Sequence, residues 1–348
     1  MTQSNDIDLP GEWDDDEPTP KERRGRRFAL IGLAVILAIV LAAGITVGLY
    51  VKSLDDAYQK RTVVTLNRTP SDGKRPAKVE GTGRNFLLLG SDRRDPEEAK
   101  LSGVYGQRSD VMMLVHIPED NSSAYIMSFP RDLYVDIPGK GKDRINAALA
   151  YGGVPLTVAT VENYTGIPID HVALIDFEGI TGLVDTLGGV DVEVSKTFSV
   201  HGKNFTQGVQ HMDGETALIY VRQRYAFADG DFQRNRNQQA LLKGIVNKLL
   251  SRDTLSDPLK LRDAIASISP FLTTDDALTS TTMLDVGLSL RSIRSSDLYF
   301  LSVPHGEPMM TSGGASVVAT DEKGMDTLRE ALKKDDMGTY YAENAGKY

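Results

Sequence analysis

The residues of this chain whose types and spacing suit chemistry are arginines and aspartates. Asp92 stands in NFLLLGSDRR, Arg108 and Asp110 in QRSDVMMLVHI, and Arg131 in SFPRDLYVDIP. Arg222 and Arg224 follow in ALIYVRQRY, and Arg234 with Gln238 in DFQRNRNQQALL. A guanidinium is a planar fork that hydrogen-bonds phosphate oxygens two at a time, so several on one place suit a compact, multiply charged anion such as a pyrophosphate. Cysteine is absent, which removes thiolate nucleophiles, disulfides and Cys-based zinc sites together. The histidines (His116, His171, His201, His211 and His305) are scattered without metal-ligand spacing and are assigned to packing or surface roles.

Asp92 follows an apolar run and Gly90, which places it near the C-terminal end of a strand, where open α/β sheets hold their ligands. Asp110 opens the next strand-like run. Two carboxylates meeting in that crevice suit Mg²⁺, an oxygen-seeking ion that takes one or two carboxylates and completes its octahedron with water and substrate phosphate. The spacing equally allows one Asp to cap a turn and the other to pair with Arg108. Arg222 and Arg224 are two apart and in an extended segment project to the same side. Arg234 and Gln238, four apart, share a helix face. For any of these arginines taken singly, a surface ion pair is an equal reading.

The elements that must position these residues are legible as alternating strands and helices. NFLLLG, DVMMLVHI and AYIMSFP are short apolar runs bounded by Gly, Asp and Pro, as expected of central strands covered on both faces. INAALAYGG, PLTVATVENYTG and FEGITGLVDTLGG carry helical patterns, the last closed by a glycine cap, and GVDVEV reads as a strand. HMDGETALIYVRQRY predicts a short helix opening after Asp213, then a turn. QRNRNQQALLKGIVNKLL is the clearest helix, apolar at Leu241, Leu242, Ile245, Val246, Leu249 and Leu250. Farther on, LRDAIASISPFL, ALTSTTMLDVGLSLRSI and KGMDTLREALKK read as helices, DLYFLSVP and ASVVAT as strands. The expected class is α/β, a three-layer α-β-α sandwich with a central mixed sheet.

Ahead of this domain, residues 28–51 (FALIGLAVILAIVLAAGITVGLYV) contain no charge and are long enough, at about 1.5 Å per residue, to cross a hydrocarbon core of roughly 30 Å. Lys21, Arg23, Arg24, Arg26 and Arg27 precede them, so the positive-inside rule puts the N-terminus in the cytoplasm and the bulk of the chain outside. The expected organisation is therefore a disordered cytoplasmic tail over 1–27, a transmembrane helix over 28–51, a polar linker over 52–80, a catalytic domain over 81–335 and a C-terminal tail over 336–348. A net charge of -9 over 348 residues argues against a nucleic-acid partner, because phosphate would repel the molecule. A hydrophobic share of 41% is enough for a large core without staples.

GSDRR, RSDVMMLV, PRDLYVDIP, RINAALAYGG, DTLGGVDVEV, HMDGETALIYVRQR and DFQRNRNQQ, in this order behind one apolar span, resemble the LytR-CpsA-Psr (LCP) family of cell-wall glycopolymer ligases. The resemblance covers residues 81–250 strongly and the C-terminal third more loosely. It implies an outward-facing, membrane-anchored, Mg²⁺-dependent phosphotransferase that takes a glycopolymer from a polyisoprenyl pyrophosphate carrier and joins it to peptidoglycan through a phosphodiester. Carried over by position, Asp92 and Asp110 match the metal-associated acids. Arg108, Arg131, Arg222, Arg224, Arg234 and Gln238 match the pyrophosphate-holding set, and Arg144 stands where a basic residue, usually lysine, precedes the Ile-Asn pair. Two departures fall in DFQRNRNQQ: Gln233 replaces a glycine and Asn237 an arginine, with Arg236 one position early, about 100° around the helix. A polyisoprenyl chain also needs an apolar groove, for which VPLTVATVENY and VALIDFEGITGLV are candidates; both are equally readable as core. Two other readings stay open, a non-catalytic polyisoprenyl-phosphate-binding attenuator and a pyrophosphatase using water as acceptor.

Overall fold

A computed structural model describes residues 48–67, 73–91, 109–223, 227, 230–255 and 257–348. Asp92, Arg108 and Arg224, and the apolar run before residue 48, lie outside the described residues. Contacts divide the chain after Lys52. Of the first unit, 48–52 are described and are helical. The second opens with a helical stretch over 53–58 (α1). Among the described residues no helix is long and apolar enough to cross a membrane.

The centre is a seven-stranded mixed sheet. Its strands are β1 (Thr62–Val64), β2 (Arg84–Ser91), β3 (Ser109–Ile117), β4 (Ala124–Ser128), β7 (His171–Asp176), β12 (Leu272–Asp275) and β13 (Leu298–Ser302), in the order β1-β12-β7-β2-β3-β4-β13. β2 runs parallel to β7 and antiparallel to β3, and β13 parallel to β4. Period-two alternation decides which side chains face which layer. Leu87 and Leu89 of β2, Met112 and Leu114 of β3, and Val172 and Leu174 of β7 point into the main core. That core is closed by helices α2 (Ala147–Thr165), α8 (Glu322–Lys333) and α9 (Met337–Asn344). Phe86, Leu88, Met113, Val115 and Ile126 face the other way, toward Leu242 of α5 (Gly230–Leu249) and Val286 of α7 (Ser280–Ser289). A second cluster joins α3 (Phe177–Thr186), α4 (Gly214–Arg222) and α6 (Pro258–Ile268) to the strands β8 (Val190–Val194), β9 (Phe198–Val200), β10 (Lys203–Phe205) and β11 (Gly208–Met212). Helices thus cover both sheet faces, in agreement with the α/β class and mixed sheet expected.

Several elements went unread because other segments stabilise them. The strands β5 (Tyr134–Ile137), β6 (Gly141–Arg144) and β14 (His305–Met310) are short and half-exposed, whereas β15 (Ser316–Thr320), the partner of β14, falls on the expected strand ASVVAT. β1 lies within the expected linker yet pairs with β12, so the sheet begins well before residue 81. The expected tail over 336–348 contains α9, whose Met337 and Tyr340 are buried in the main core. INAALAYGG and PLTVATVENYTG form one helical path, α2, kinked where Gly153 adopts φ 66° and ψ -161°, a conformation that glycine tolerates.

One buried carboxylate ties the β1 edge together. Asp275 accepts from His171 Nδ1 at 3.1 Å, from Val172 N at 2.8 Å and from Leu278 N at 2.9 Å. Burial pushes its pKa up, but the hydrogen bond from His171 and the two backbone N–H groups outweigh it and hold the group below its ordinary 3.8. A depressed carboxyl contributes stability above pH 3.8 that is lost as pH falls through the folded-state value. Asp275→Ala leaves those donors unpaired and is expected to cost about 3 kcal/mol. Urea unfolding at pH 7 and pH 3 checks this: the gap between wild type and variant should shrink at the lower pH.

Candidate active site

Gly90 is where the geometry of the site starts. A Cβ there would stand 2.8 Å from Val111 Cβ, so only glycine lets β3 approach, and the ladder bulges between Gly90 and Ser91. The bulge brings Asp110, on the second residue of β3, to the end of the sheet where β2 closes. Arg131 follows β4 and donates from Nη1 to Asp110 Oδ1 at 2.8 Å. Its Nε lies 3.6 Å from Asp132 Oδ2, and Asp132 Oδ1 lies 3.7 Å from Arg144 Nε. Arg144 is anchored in turn on Ser316 O at 3.0 Å.

Helix α5 closes the site from the other sheet face. Gln238 Nε2 donates to the backbone oxygen of Asp110 at 3.3 Å, and Gln239 Nε2 to Ser128 Oγ at 2.8 Å and Leu301 O at 3.1 Å. These bonds set the helix across β3, β4 and β13. Arg234 stands one turn before Gln238 and is 4% exposed. A guanidinium so deeply placed beside the sheet end is no solvating surface charge. The structure therefore brings together Asp110, Arg131 and Gln238 directly, with Arg234 on the same helix as Gln238 and Arg144 joined to Arg131 through Asp132.

Arg222 closes α4, the short helix expected to open after Asp213, and its Cζ sits 5.0 Å from the centroid of the Phe177 ring. The reason is local: Asp213 caps the helix by accepting from Thr216 N at 2.8 Å, and Ala217, Tyr220 and Val221 are buried along one face, so helical pitch persists through Arg222. Burial pushes the Tyr220 phenol up to about 12, which removes it as an acid or base near neutrality.

Behind the polar cluster lies an apolar cavity of about 220 Å³. Leu88 and Gly90 of β2, Val111 and Met113 of β3, and Ala173 and Ile175 of β7 form its floor. Phe177, Val221 and Leu241 are among the helical residues that cover it, and Gln238 is its polar member. VALIDFEGITGLV thus lines the cavity, whereas VPLTVATVENY does not. Val154, Leu156, Val158 and Val161 of α2 pack in the main core on the opposite sheet face.

The two departures in DFQRNRNQQ prove to be a structural pair. Gln233 Nε2 donates to Asn237 Oδ1 at 2.9 Å and to Ser195 Oγ at 2.7 Å, and Asn237 Nδ2 donates to Tyr220 O at 3.3 Å. Arg236 is exposed, its Nη2 bound to Gln233 Oε1 at 2.8 Å. Asn237, 1% exposed, is held by Gln233 and the Tyr220 carbonyl, so an arginine there would bury a cation among groups fitted to an amide. Asn237→Arg is expected to cost 3 kcal/mol or more, measurable by thermal unfolding. Sequence reading missed Asp132, although it lies in PRDLYVDIP, and missed Phe177, whose role depends on a contact from another helix.

The α/β domain thus places a guanidinium and carboxylate cluster beside an apolar cavity, joined to it through Gln238. The LytR_cpsA_psr family description matches residues 50–334, and the chain belongs to that family. A polyisoprenyl-teichoic acid–peptidoglycan teichoic acid transferase TagU of Enterococcus faecalis is 35% identical over 89% of this chain and 97% of its own length. The TagU of Halalkalibacterium halodurans is 33% identical over 68% of this chain and 77% of its own. Among solved structures, B. subtilis TagV is 27% identical with a TM-score of 0.63, covering 74% of this chain and 99% of TagV. TagT bound to LI-WTA is 28% identical with a TM-score of 0.60, covering 78% and 98%.

Proposed function

We propose that this protein transfers a glycopolymer, of the teichoic acid class named for its relatives, from a polyisoprenyl pyrophosphate carrier to a peptidoglycan sugar hydroxyl. The observation that carries this reading is that Gln238, which lines the apolar cavity, hydrogen-bonds the backbone of Asp110, whose carboxylate is paired with Arg131. Such a site offers hydrogen-bond donors to pyrophosphate oxygens and an oily bed to the chain attached to them. In transfer, the sugar hydroxyl forms a new bond to the sugar-proximal phosphorus, the bridging oxygen bond breaks, and polyisoprenyl monophosphate leaves with the electron pair. Arg131 and Arg234 hold the phosphate oxygens and stabilise charge as it shifts to the leaving group. Arg222, stacked on Phe177 at the cavity, would hold the head group from the helical side, with Arg108 and Arg224 completing the clamp.

Mg²⁺ fits the donor set. Asp110 uses one oxygen for Arg131, and a carboxylate's remaining lone pairs can serve an oxygen-seeking cation. Asp110 and Asp92 would hold the ion, which supplies charge neutralisation of the pyrophosphate. The apolar run 28–51, behind its basic cluster, supports a single-pass anchor with the domain outside the cell membrane.

The test is turnover of a synthetic polyisoprenyl pyrophosphoryl oligosaccharide by the full chain with peptidoglycan fragments, in Mg²⁺ and in EDTA. Release of prenyl monophosphate with sugar phosphate on the fragments, at least about 100-fold slower in EDTA, is the expected result. Release of free sugar phosphate without modified fragments would identify a pyrophosphatase. Tight binding without turnover would leave an attenuator.

A further inference from the structure

Helix α7 carries four large apolar side chains, Met283, Leu284, Val286 and Leu288, yet has no buried residue. An apolar stripe on a helix is normally covered. Val286 and Leu290 pack against the sheet, alongside Phe86, Leu88, Met113 and Leu242. Beginning beside Leu290 and turning away from the sheet, Met283, Gly287, Leu284 and Leu288 span about 140° of the helix surface at 100° per residue. The three side chains are 41%, 44% and 52% exposed. Asp285 falls outside this arc, and Arg291 and Arg294 follow it, exposed, at the C-terminal end.

The start of α7 is tied to the chain that follows the apolar run. Asp55 Oδ1 accepts from Ser280 Oγ at 2.5 Å, and Tyr58 Oη donates to Leu278 O at 2.7 Å. Val51, the last residue of that run, precedes Asp55 by four residues, a reach of at most roughly 14 Å. Residues against which α7 packs also line the cavity: Leu88, Met113 and Leu242. The Leu88–Met113 pair lies farther from Asp110 along the ladder than the Gly90–Val111 pair. The cavity therefore extends from the charged cluster toward α7.

We propose that the outer face of α7 rests in the lipid interface of the membrane that the 28–51 run spans, with Met283, Leu284 and Leu288 among the acyl chains and Arg291 and Arg294 at phosphate headgroups. The contact would point the deep end of the cavity at the bilayer, so that a carrier's tail is never fully drawn into water while its pyrophosphate reaches the arginines. A bilayer is the occupant that suits this face, because the covalent chain delivers α7 to one. The inference rests on reading 28–51 as a span, and the two can be separated by experiment.

The absence of cysteine makes that experiment clean. Three single-cysteine variants of the full chain, Leu288→Cys, Val209→Cys and Ala34→Cys, carry a polarity-sensitive fluorophore in phosphatidylethanolamine–phosphatidylglycerol vesicles. Val209 is 73% exposed on β11 and serves as the solvent reference. Nitroxide-bearing lipid should quench the Leu288 label at least twofold more than the Val209 label, with iodide showing the reverse order. Lipid quenching at Ala34 with Leu288 behaving as Val209 would overturn the α7 contact and keep the span. Quenching at Leu288 but not at Ala34 would uphold the contact and overturn the span, and quenching at neither would overturn both.

Discussion

Arg131→Ala is expected to lower kcat/KM for the pyrophosphoryl donor by about 10² to 10³, or ~2.7–4 kcal/mol, the usual cost of removing one oriented donor from a site where charge develops. Arg131 holds Asp110 by the 2.8 Å bond and, in the proposed transfer, a phosphate oxygen as well. Its loss leaves an uncompensated carboxylate facing an anionic substrate, so KM should rise as well. Both side chains are partly exposed, 20% and 28%, so the ion pair itself contributes at most about 1 kcal/mol to folding and the thermal midpoint should hardly move. Arg131→Lys keeps a charge without the planar fork and should recover only part of the rate. Near-normal turnover by the alanine variant, at wild-type stability, would remove Arg131 from the clamp.

The second large effect concerns the lipid. Ala173 lies on β7 at the cavity floor, flanked by Val172 and Leu174, which face the main core. Ala173→Phe directs a ring into open apolar space, where it has room to settle without the strain of overpacking a full core. The thermal midpoint is expected to hold or rise, while turnover of a long-chain prenyl donor falls at least about tenfold, each buried CH₂ being worth ~0.8 kcal/mol. A short-chain donor, which needs only the charged cluster, should be processed nearly as before. Equal losses with both donors would show that the cavity does not hold the tail.

Much of this was legible beforehand because the patterns are local. The strands around Leu88 and Met113, the long helix carrying Arg234 and Gln238, and the cap at Asp213 each follow from periodicity or from a single capping side chain. The ordered motifs carried the family. Elements whose reason is a distant partner stayed hidden: β1 exists because β12 offers it a ladder, and α9 because the main core takes Met337 and Tyr340. Where the helix after Asp213 ends was not legible, since two arginines in VRQR look alike whether or not a helix continues through the first.

By itself the sequence determined the residue types able to hold a pyrophosphate, the alternation that builds an α/β sheet, and a charge-free run preceded by a basic cluster. Tertiary structure alone decided that Asp110 is paired with Arg131, that Asn237 turns inward to Gln233 and Tyr220, and that the apolar run of α3 lines a cavity while that of α2 fills a core. The reason is that an apolar or amide side chain carries no mark of which sheet face or partner it will meet. That depends on strand order and register, which join residues far apart in the chain.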